Sequence, residues 1–301
     1  MKSLLSLLAA GLLLAGPTLA QQPVQAIIRT MKDPATKQVV VVAHRADWRS
    51  EPENSIPGIE SAIKMGVDMV EIDLKKSKDG VLILMHDETL NRTTTGKGKP
   101  SDYTWAELQQ LTLKNEHGGP TRLRIPTFEQ CMLAAKGRVM VNVDKGYDYY
   151  QEAYDVLEKT GTVDHAVIKS YETYATVKAA HGNLLNSKLL YMPIIGLEKP
   201  GAEASIREYE QQLKPVAYEL NFASDTALTH SIYQTIPKTG SKIWFNSLWA
   251  SQNAGHDDER SVEENQPADG WGWLLAHGAT IIQTDRPAEL LAYLRARQLH
   301  K

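Results

Sequence analysis

Met69-Val70-Glu71-Ile72-Asp73-Leu74-Lys75-Lys76-Ser77-Lys78-Asp79-Gly80-Val81-Leu82-Ile83-Leu84-Met85-His86-Asp87 is the stretch from which the fold can be read. Residues 69–74 form a short apolar run carrying two carboxylates at a spacing of two, so Glu71 and Asp73 share one face of a strand. Asp79-Gly80 is a tight-turn dipeptide, and Val81–Met85 follows it directly, which predicts that the chain folds back as a hairpin. On either side of this stretch a rhythm recurs: a short β-branched run, a polar junction, then helical periodicity. Further strands are expected at Val39–Ala43, Val139–Asp144, Ala166–Lys169, Lys188–Tyr191, Val216–Glu219, Lys242–Phe245 and Thr280–Gln283. Helical spacing fills several of the intervals, as in Gln151–Lys159, Tyr171–His181 and Ala288–Gln298. Strands alternating with helices make right-handed βαβ units and a parallel sheet, and eight such strands close a (β/α)₈ TIM barrel. An open doubly wound sheet is the alternative that periodicity leaves standing. Residues 87–126, with a helical piece at Thr104–Leu113, read as a small insertion after the second strand, over the barrel mouth.

Lys2 precedes an apolar run from Leu4 to Ala15, Gly16-Pro17 break it, and Thr18-Leu19-Ala20 offers small residues for cleavage. This is the three-part pattern of a secretory signal peptide over residues 1–20, so residues 21–301 are expected to form one exported domain, periplasmic or secreted. The run falls short of the about 20 apolar residues of a membrane span, so no stable membrane insertion is expected. With 33 basic and 36 acidic side chains the net charge is −3, which argues against nucleic acid as a partner. Hydrophobic residues at 42% and charged ones at 23% match a globular chain large enough for a single barrel. Cys131 is the one cysteine, so no intramolecular disulfide can form; its apolar helical surroundings predict a buried, inert thiol. Oligomeric state is not legible.

Functional residues of such a barrel sit at the C-terminal ends of its strands. His44 and Arg45 follow the first strand, Glu71 and Asp73 lie on the second, His86 and Asp87 close the hairpin, and Asp144 ends the third. Neighbouring strands would bring three carboxylates and two histidines to one side of the mouth. Two buried carboxylates on one face cannot both stay ionised without a cation. An all-oxygen ligand set favours Mg²⁺ or Ca²⁺ over zinc.

The segments His44-Arg45-Ala46-Asp47-Trp48-Arg49-Ser50-Glu51-Pro52-Glu53-Asn54-Ser55 and 70–98 resemble the opening motif and the metal-strand hairpin of the glycerophosphodiester phosphodiesterase family. Ile125–Gln130, Trp244-Phe245-Asn246 and Thr284–Pro287 match later landmarks. The likeness is dense over residues 39–98 and patchy from there to the end. It implies metal-dependent hydrolysis of a small-molecule glycerophosphodiester to glycerol 3-phosphate and an alcohol. In that reading His44 and His86 are the acid–base pair, His44 leaning to base and His86 to acid. Glu71, Asp73 and Asp144 hold the metal, and Arg45 grips the phosphate. Asn54 either holds the first loop or touches the metal site.

The chain departs from the family pattern at three points. Ala46 stands where the family has glycine at a positive φ. The third ligand is the shorter Asp144 instead of glutamate. The phosphate lysine's place is taken by Gly146, while alternation puts Lys145 on the opposite face, pointing away from the mouth. Lys169, at the end of the next strand, is therefore expected to contact the phosphate, the alternative being a solvated residue or a pair with Glu172. Glu219 either binds head-group hydroxyls or pairs within the barrel, and Trp244 is expected to wall the substrate. The segment Ser247–Asp269, with His256-Asp257-Asp258-Glu259-Arg260, is a candidate specificity loop and offers either a second metal site or a solvated face. Two rival readings remain. One is a phospholipase D-type phosphodiesterase acting on lysophospholipid or sphingolipid head groups, which use aspartate at the Asp144 position. The other is a catalytically inactive binder of sugar phosphates or lipid head groups.

Overall fold

The computed structural model describes residues 24–229 and 233–301; the expected leader over residues 1–20 lies outside the described residues. Its strands are β1 (Val40–Ala43), β2 (Met69–Lys76), β3 (Leu82–Leu84), β4 (Thr112–Lys114), β5 (Pro120–Arg124), β6 (Met140–Asp144), β7 (Ala166–Ser170), β8 (Leu190–Gly196), β9 (Ala217–Asn221), β10 (Lys242–Asn246) and β11 (Ile281–Thr284). In the order β1-β2-β6-β7-β8-β9-β10-β11 eight of them pair in parallel, and β11 pairs back onto β1. The sheet is closed: this is the expected (β/α)₈ barrel, and the open doubly wound alternative is excluded. β8 runs further than its sequence implies, because Pro193 reads as a breaker. It lies opposite Ser170, the last residue of β7, where the ladder on that side ends.

Alternation along the strands sorts the core into two layers. Val41, Ala43, Val70, Ile72, Val141, Val143 and Ile168 face outward and pack against the surrounding helices, with buried Cys131 among them. Val42, Met69, Met140, Val167, Met192, Ala217, Trp244 and Ile281 face inward at the base of the barrel. An N-terminal helix, Val24–Lys32, closes that base with Val24, Ile27, Ile28 and Met31. One step further along the strands the interior turns polar: Glu71, Asn142, Lys169, Glu219, Asn246 and Gln283 are all buried. A greasy floor thus lies beneath a polar layer that leads up to the mouth.

β3 pairs antiparallel with β2, Leu74 opposite Leu84 and Lys76 opposite Leu82. The turn needs Gly80 at φ 86°, and Ser77 Oγ accepts from the Val81 N–H at 2.9 Å. Within 87–126, α-helix forms only over Trp105–Leu108, started by a Thr104/Glu107 capping box. The rest of the expected Thr104–Leu113 helix is overruled by pairing of β4 with β5. This insertion has its own small core of Ile83, Met85, Leu90, Leu108, Leu113 and Ile125. Among the described residues no helix is long and apolar enough to cross a membrane.

Trp244 does not wall the mouth. It is fully buried in the inner base layer, its indole N–H donating to Asn246 Oδ1 at 2.9 Å. Asn246, two residues along, occupies the mouth-side position, and one inward step along a strand is about 7 Å of depth. Trp249 is the exposed tryptophan, at 47%. Trp244→Ala should therefore destabilise the fold by about 3–5 kcal/mol, as for a buried aromatic. Trp249→Ala should cost no more than about 1 kcal/mol. Denaturant unfolding of both variants checks this, and equal costs would contradict the layer assignment.

Candidate active site

The mouth is organised by three carboxylates. Asp73 and Asp144 lie opposite each other in the β2–β6 register, and Glu71 is one inward position deeper. One oxygen from each of Glu71, Asp73 and Asp144 lies within 4.8 Å of the others. Each group has one oxygen held by a local donor. Glu71 Oε2 accepts from the Arg45 N–H at 2.7 Å, Asp73 Oδ2 from Asn54 Nδ2 at 2.9 Å, and Asp144 Oδ1 from the Lys145 N–H at 2.8 Å. Glu71 Oε1 and Asp73 Oδ1 are buried with no hydrogen-bond partner. Orphaned, fully buried carboxylate oxygens pointing at a third acid fit a hard divalent cation. Burial, reinforced by the charges of Asp73 and Asp144, holds the Glu71 carboxyl well above its ordinary range. For Asp144 burial also pushes upward, but Lys169 and the Lys145 N–H outweigh it and the group stays ionised to lower pH.

Backbone strain aims these donors. Arg45 and Ala46 have φ of 49° and 63°, so the chain turns sharply after β1 and presents the Arg45 N–H to Glu71 and the Ala46 N–H to the Glu71 carbonyl at 3.2 Å. The expected positive φ at Ala46 is there, held against its ordinary penalty by burial. Asn54, at φ 56°, meets Asp73 twice: its Nδ2 donates to Oδ2, and its Oδ1 accepts the Asp73 N–H at 3.0 Å. The loop-holding role and the contact with the carboxylate cluster are thus one interaction. The Arg45 guanidinium reaches Glu53 at 3.3 Å, and its Nε is 3.9 Å from Asp73 Oδ2.

Both histidines are oriented by aspartates. His44 Nδ1 bonds Asp285 Oδ1 at 2.7 Å, leaving Nε2 turned to the site, 4.0 Å from Glu71 Oε2. Asp285 also accepts the Trp48 indole N–H at 2.6 Å, and Trp249 meets the His44 ring edge-on at 5.5 Å. Burial pushes the Asp285 carboxyl up, but the His44 hydrogen bond and charge hold it below the usual range. His86 Nδ1 bonds Asp87 Oδ1 at 2.8 Å. Arg92 grips Asp87 through Nε and Nη2, both at 2.8 Å, and reaches across to Glu53. These bonds hold the Asp87 carboxyl far below its ordinary range. A cavity of about 470 Å³ opens beside His44, with Arg45, Trp48, Arg49, Arg92 and Trp249 in its walls.

Two lysines exchange places relative to expectation. Strand alternation stops at Asp144, because Lys145 takes a left-handed turn at φ 58°. Its side chain therefore swings into the mouth: Nζ sits 3.3 Å from Asp73 Oδ1 and bonds the His86 carbonyl. Gly146 faces the outer layer, where a Cβ would lie 2.8 Å from Val143 Cγ1. Lys169 points inward but is buried, its Nζ 2.6 Å from Glu219 Oε2. Glu219 in turn accepts from Asn246 Nδ2 at 2.9 Å. Of the alternatives for Glu219, pairing within the barrel is the one formed. The Lys169 ammonium is thus engaged with Glu219 inside the barrel, where its charge also acts on Asp144, instead of standing free at the mouth.

The 247–269 segment offers no second metal site among the described residues, and it is solvated only in part, Glu259 and residues 263–266 being exposed. His256 stacks on Trp273 at 3.6 Å and bonds the Asp269 carbonyl, and Asp258 is buried. Among the described residues, Glu71, Asp73 and Asp144 are the group placed to hold a metal.

A model of the glycerophosphoryl diester phosphodiesterase family matches residues 44–190, which carry β1's exit through β7 and every carboxylate of the cluster. These residues, just under half of the chain, carry the likeness to that family. Residues 191–294 match a second model, described only as a domain of unknown function. A glycerophosphodiester phosphodiesterase of Caldanaerobacter subterraneus subsp. tengcongensis is 37% identical over 109 residues, 36% of this chain and 45% of that protein. Mouse glycerophosphodiester phosphodiesterase 1 is 37% identical over 101 residues, 32% of this chain and 30% of that one. The chain thus spans less than half the length of either relative. A crystal structure of a glycerophosphoryl diester phosphodiesterase from Parabacteroides distasonis shares the fold at a TM-score of 0.74 and 23% identity, over 92% of this chain and 93% of that one. An Oleispira antarctica phosphodiesterase, solved with its product sn-glycerol-3-phosphate, aligns at a TM-score of 0.61 and 20% identity over 85% and 96%.

Asp285 and Trp249 are the site residues that sequence reading did not assign. Thr284–Pro287 matched a family landmark, but nothing in the order of residues says that Asp285 reaches His44. The Glu71 shift has a measurable consequence. Its folded pKa is raised above the unfolded value, so without metal the folded state binds more protons and stability falls as pH rises above about 4.5. A divalent cation would take the proton's place, so at fixed cation concentration the rise in Tm it causes should grow with pH, the added stability being about 2.7 kcal/mol where the free cation is a hundredfold above its Kd. Glu71→Gln should abolish the gain; a cation effect that persists in that variant would contradict the site.

Proposed function

We propose that the protein is an exported phosphodiesterase that hydrolyses glycerophosphodiesters to glycerol 3-phosphate and an alcohol. The observation that supports this reading is the buried carboxylate cluster, with Glu71 Oε1 orphaned and the Asp285-bound His44 placing Nε2 4.0 Å from Glu71 Oε2. The Asp87-bound His86 stands at the hairpin exit, where its carbonyl meets Lys145. Glu71, Asp73 and Asp144 would hold Mg²⁺ or Ca²⁺, which supplies positive charge and Lewis acidity to the phosphate oxygens. His44, its Nδ1 fixed by Asp285, takes at Nε2 the proton of the attacking water. His86, its Nδ1 held by Asp87, returns a proton to the departing alkoxide. Arg45 and Lys145 place fixed positive charge beside Asp73, where the anionic diester must sit. The leader pattern of residues 1–20 supports export, to the periplasm or beyond.

His44→Ala and His86→Ala should each lower turnover by about 10²–10⁴. With a nitrophenyl diester, whose leaving group needs no protonation, the His86 loss should shrink while the His44 loss persists. Equal losses on both substrates would reverse or remove the assignment, and wild-type rates would remove the mechanism. Cleavage of lysophosphatidylcholine or sphingomyelin in preference to glycerophosphocholine would shift the substrate class to the phospholipase D type.

The lysine exchange yields a separate expectation. Lys145→Ala should cost on the order of 10²-fold in kcat, the scale of one preorganised charge. Lys169→Ala should act first on the fold, destabilising it by about 3–5 kcal/mol because Glu219 is left buried and unpaired. Steady-state kinetics and urea unfolding of both variants separate these effects.

A further inference from the structure

Asp258 lies in the segment between β10 and β11, is 4% exposed, and takes no part in the chemistry proposed above. Its carboxylate gathers donors from three separate parts of the chain. Ser247 Oγ at 2.7 Å, the Trp271 indole N–H at 2.8 Å and Thr284 Oγ1 at 2.8 Å all meet Oδ1. The Asp285 N–H meets Oδ2 at 2.7 Å. The two hydroxyls can rotate to donate or accept, but the indole and the peptide N–H can only donate. Each oxygen of Asp258 therefore faces one obligate donor, and only a carboxylate satisfies both. An amide would confront either the indole or the Asp285 N–H with its own NH₂ group. Burial pushes the Asp258 carboxyl up to about 7 against the downward pull of these hydrogen bonds.

We infer that Asp258 is a positioning residue for the His44–Asp285 pair. It pins the Asp285 backbone, and the Asp285 side chain in turn holds His44 Nδ1 and the Trp48 indole. Thr284, which also bonds Asp258, receives the Arg286 N–H at 2.9 Å, so the turn leaving β11 is tied on both sides of Asp285. The histidine set at the end of β1 is thereby held from a residue in the segment that precedes β11. The inference rests on the hydrolase reading only where turnover is measured.

The test is a double-mutant cycle on the full chain with glycerophosphocholine as the probe substrate. Asp258→Asn should lower kcat about 10-fold or more in the wild-type background, and less than about 2-fold when Asp285 is already asparagine. Equal losses in the two backgrounds, or a folded D258N enzyme with wild-type kcat, would overturn the inference. A second readout needs no substrate. The low-field proton resonance of a hydrogen-bonded His44 Nδ1–H should be present in the wild type, absent in D285N and displaced in D258N; an unmoved resonance in D258N would equally overturn it. Trp271→Phe removes the competing indole donor, so the amide introduced by D258N can turn its carbonyl to the Asp285 N–H. The W271F/D258N protein should then recover the resonance and part of the turnover. Failure of both D258N variants to fold would also count against the inference, since a residue needed by the whole fold is not specific to one histidine.

Discussion

Mutual repulsion among Glu71, Asp73 and Asp144 is the constraint around which the mouth of this barrel is arranged. Three acids within 4.8 Å, two of them fully buried, cannot all carry charge in a medium of low dielectric unless something positive stands among them. The fold answers with fixed donors from several directions. The Arg45 N–H comes from the β1 exit, the Asn54 amide from the first loop, the Lys145 ammonium from the β6 exit and the Lys169 charge from inside the barrel. That still leaves Glu71 Oε1 unpartnered and Asp73 Oδ1 without a hydrogen bond, facing only the Lys145 charge at 3.3 Å, with a proton favoured on Glu71. A cation held by the three acids would take the place of that proton.

Meeting this constraint requires backbone that an L-residue avoids. Arg45, Ala46, Asn54 and Lys145 all have positive φ; Arg45, Asn54 and Lys145 each turn a donor toward a carboxylate, and Ala46 turns its N–H to the Glu71 carbonyl. A left-handed residue other than glycine is disfavoured by roughly 1–2 kcal/mol. A hydrogen bond to a buried charge contributes about 1.5–3 kcal/mol, so each strained turn is more than offset by the bond it aims. Clustering of such residues around one set of acids is what strain stored at a functional site looks like.

Periodicity and spacing made the barrel legible, because a β-branched run followed by a helical stretch has few other solutions and eight repeats close a sheet. The carboxylate cluster was legible for the same reason: Glu71 and Asp73 stand two apart on a strand, and Asp144 ends its neighbour. The lysines were not. The strand rule carries Lys145 outward, but its left-handed turn abolishes the alternation at that residue, and no local composition announces it. Trp244 was misplaced by depth instead of direction, since alternation fixes which face a residue occupies but not how far from the mouth it lies. Asp285 and Asp258 act through contacts spanning more than 200 residues in one case and three chain segments in the other, which a single sequence does not record.

The most direct measurement is an assay of the purified protein on glycerophosphocholine by phosphorus NMR, before and after exhaustive chelation and again after adding Mg²⁺ or Ca²⁺. The account predicts a phosphomonoester signal that vanishes on chelation, returns with the cation and is absent throughout in Glu71→Gln. Undiminished hydrolysis by a protein shown by elemental analysis to hold no metal would contradict it.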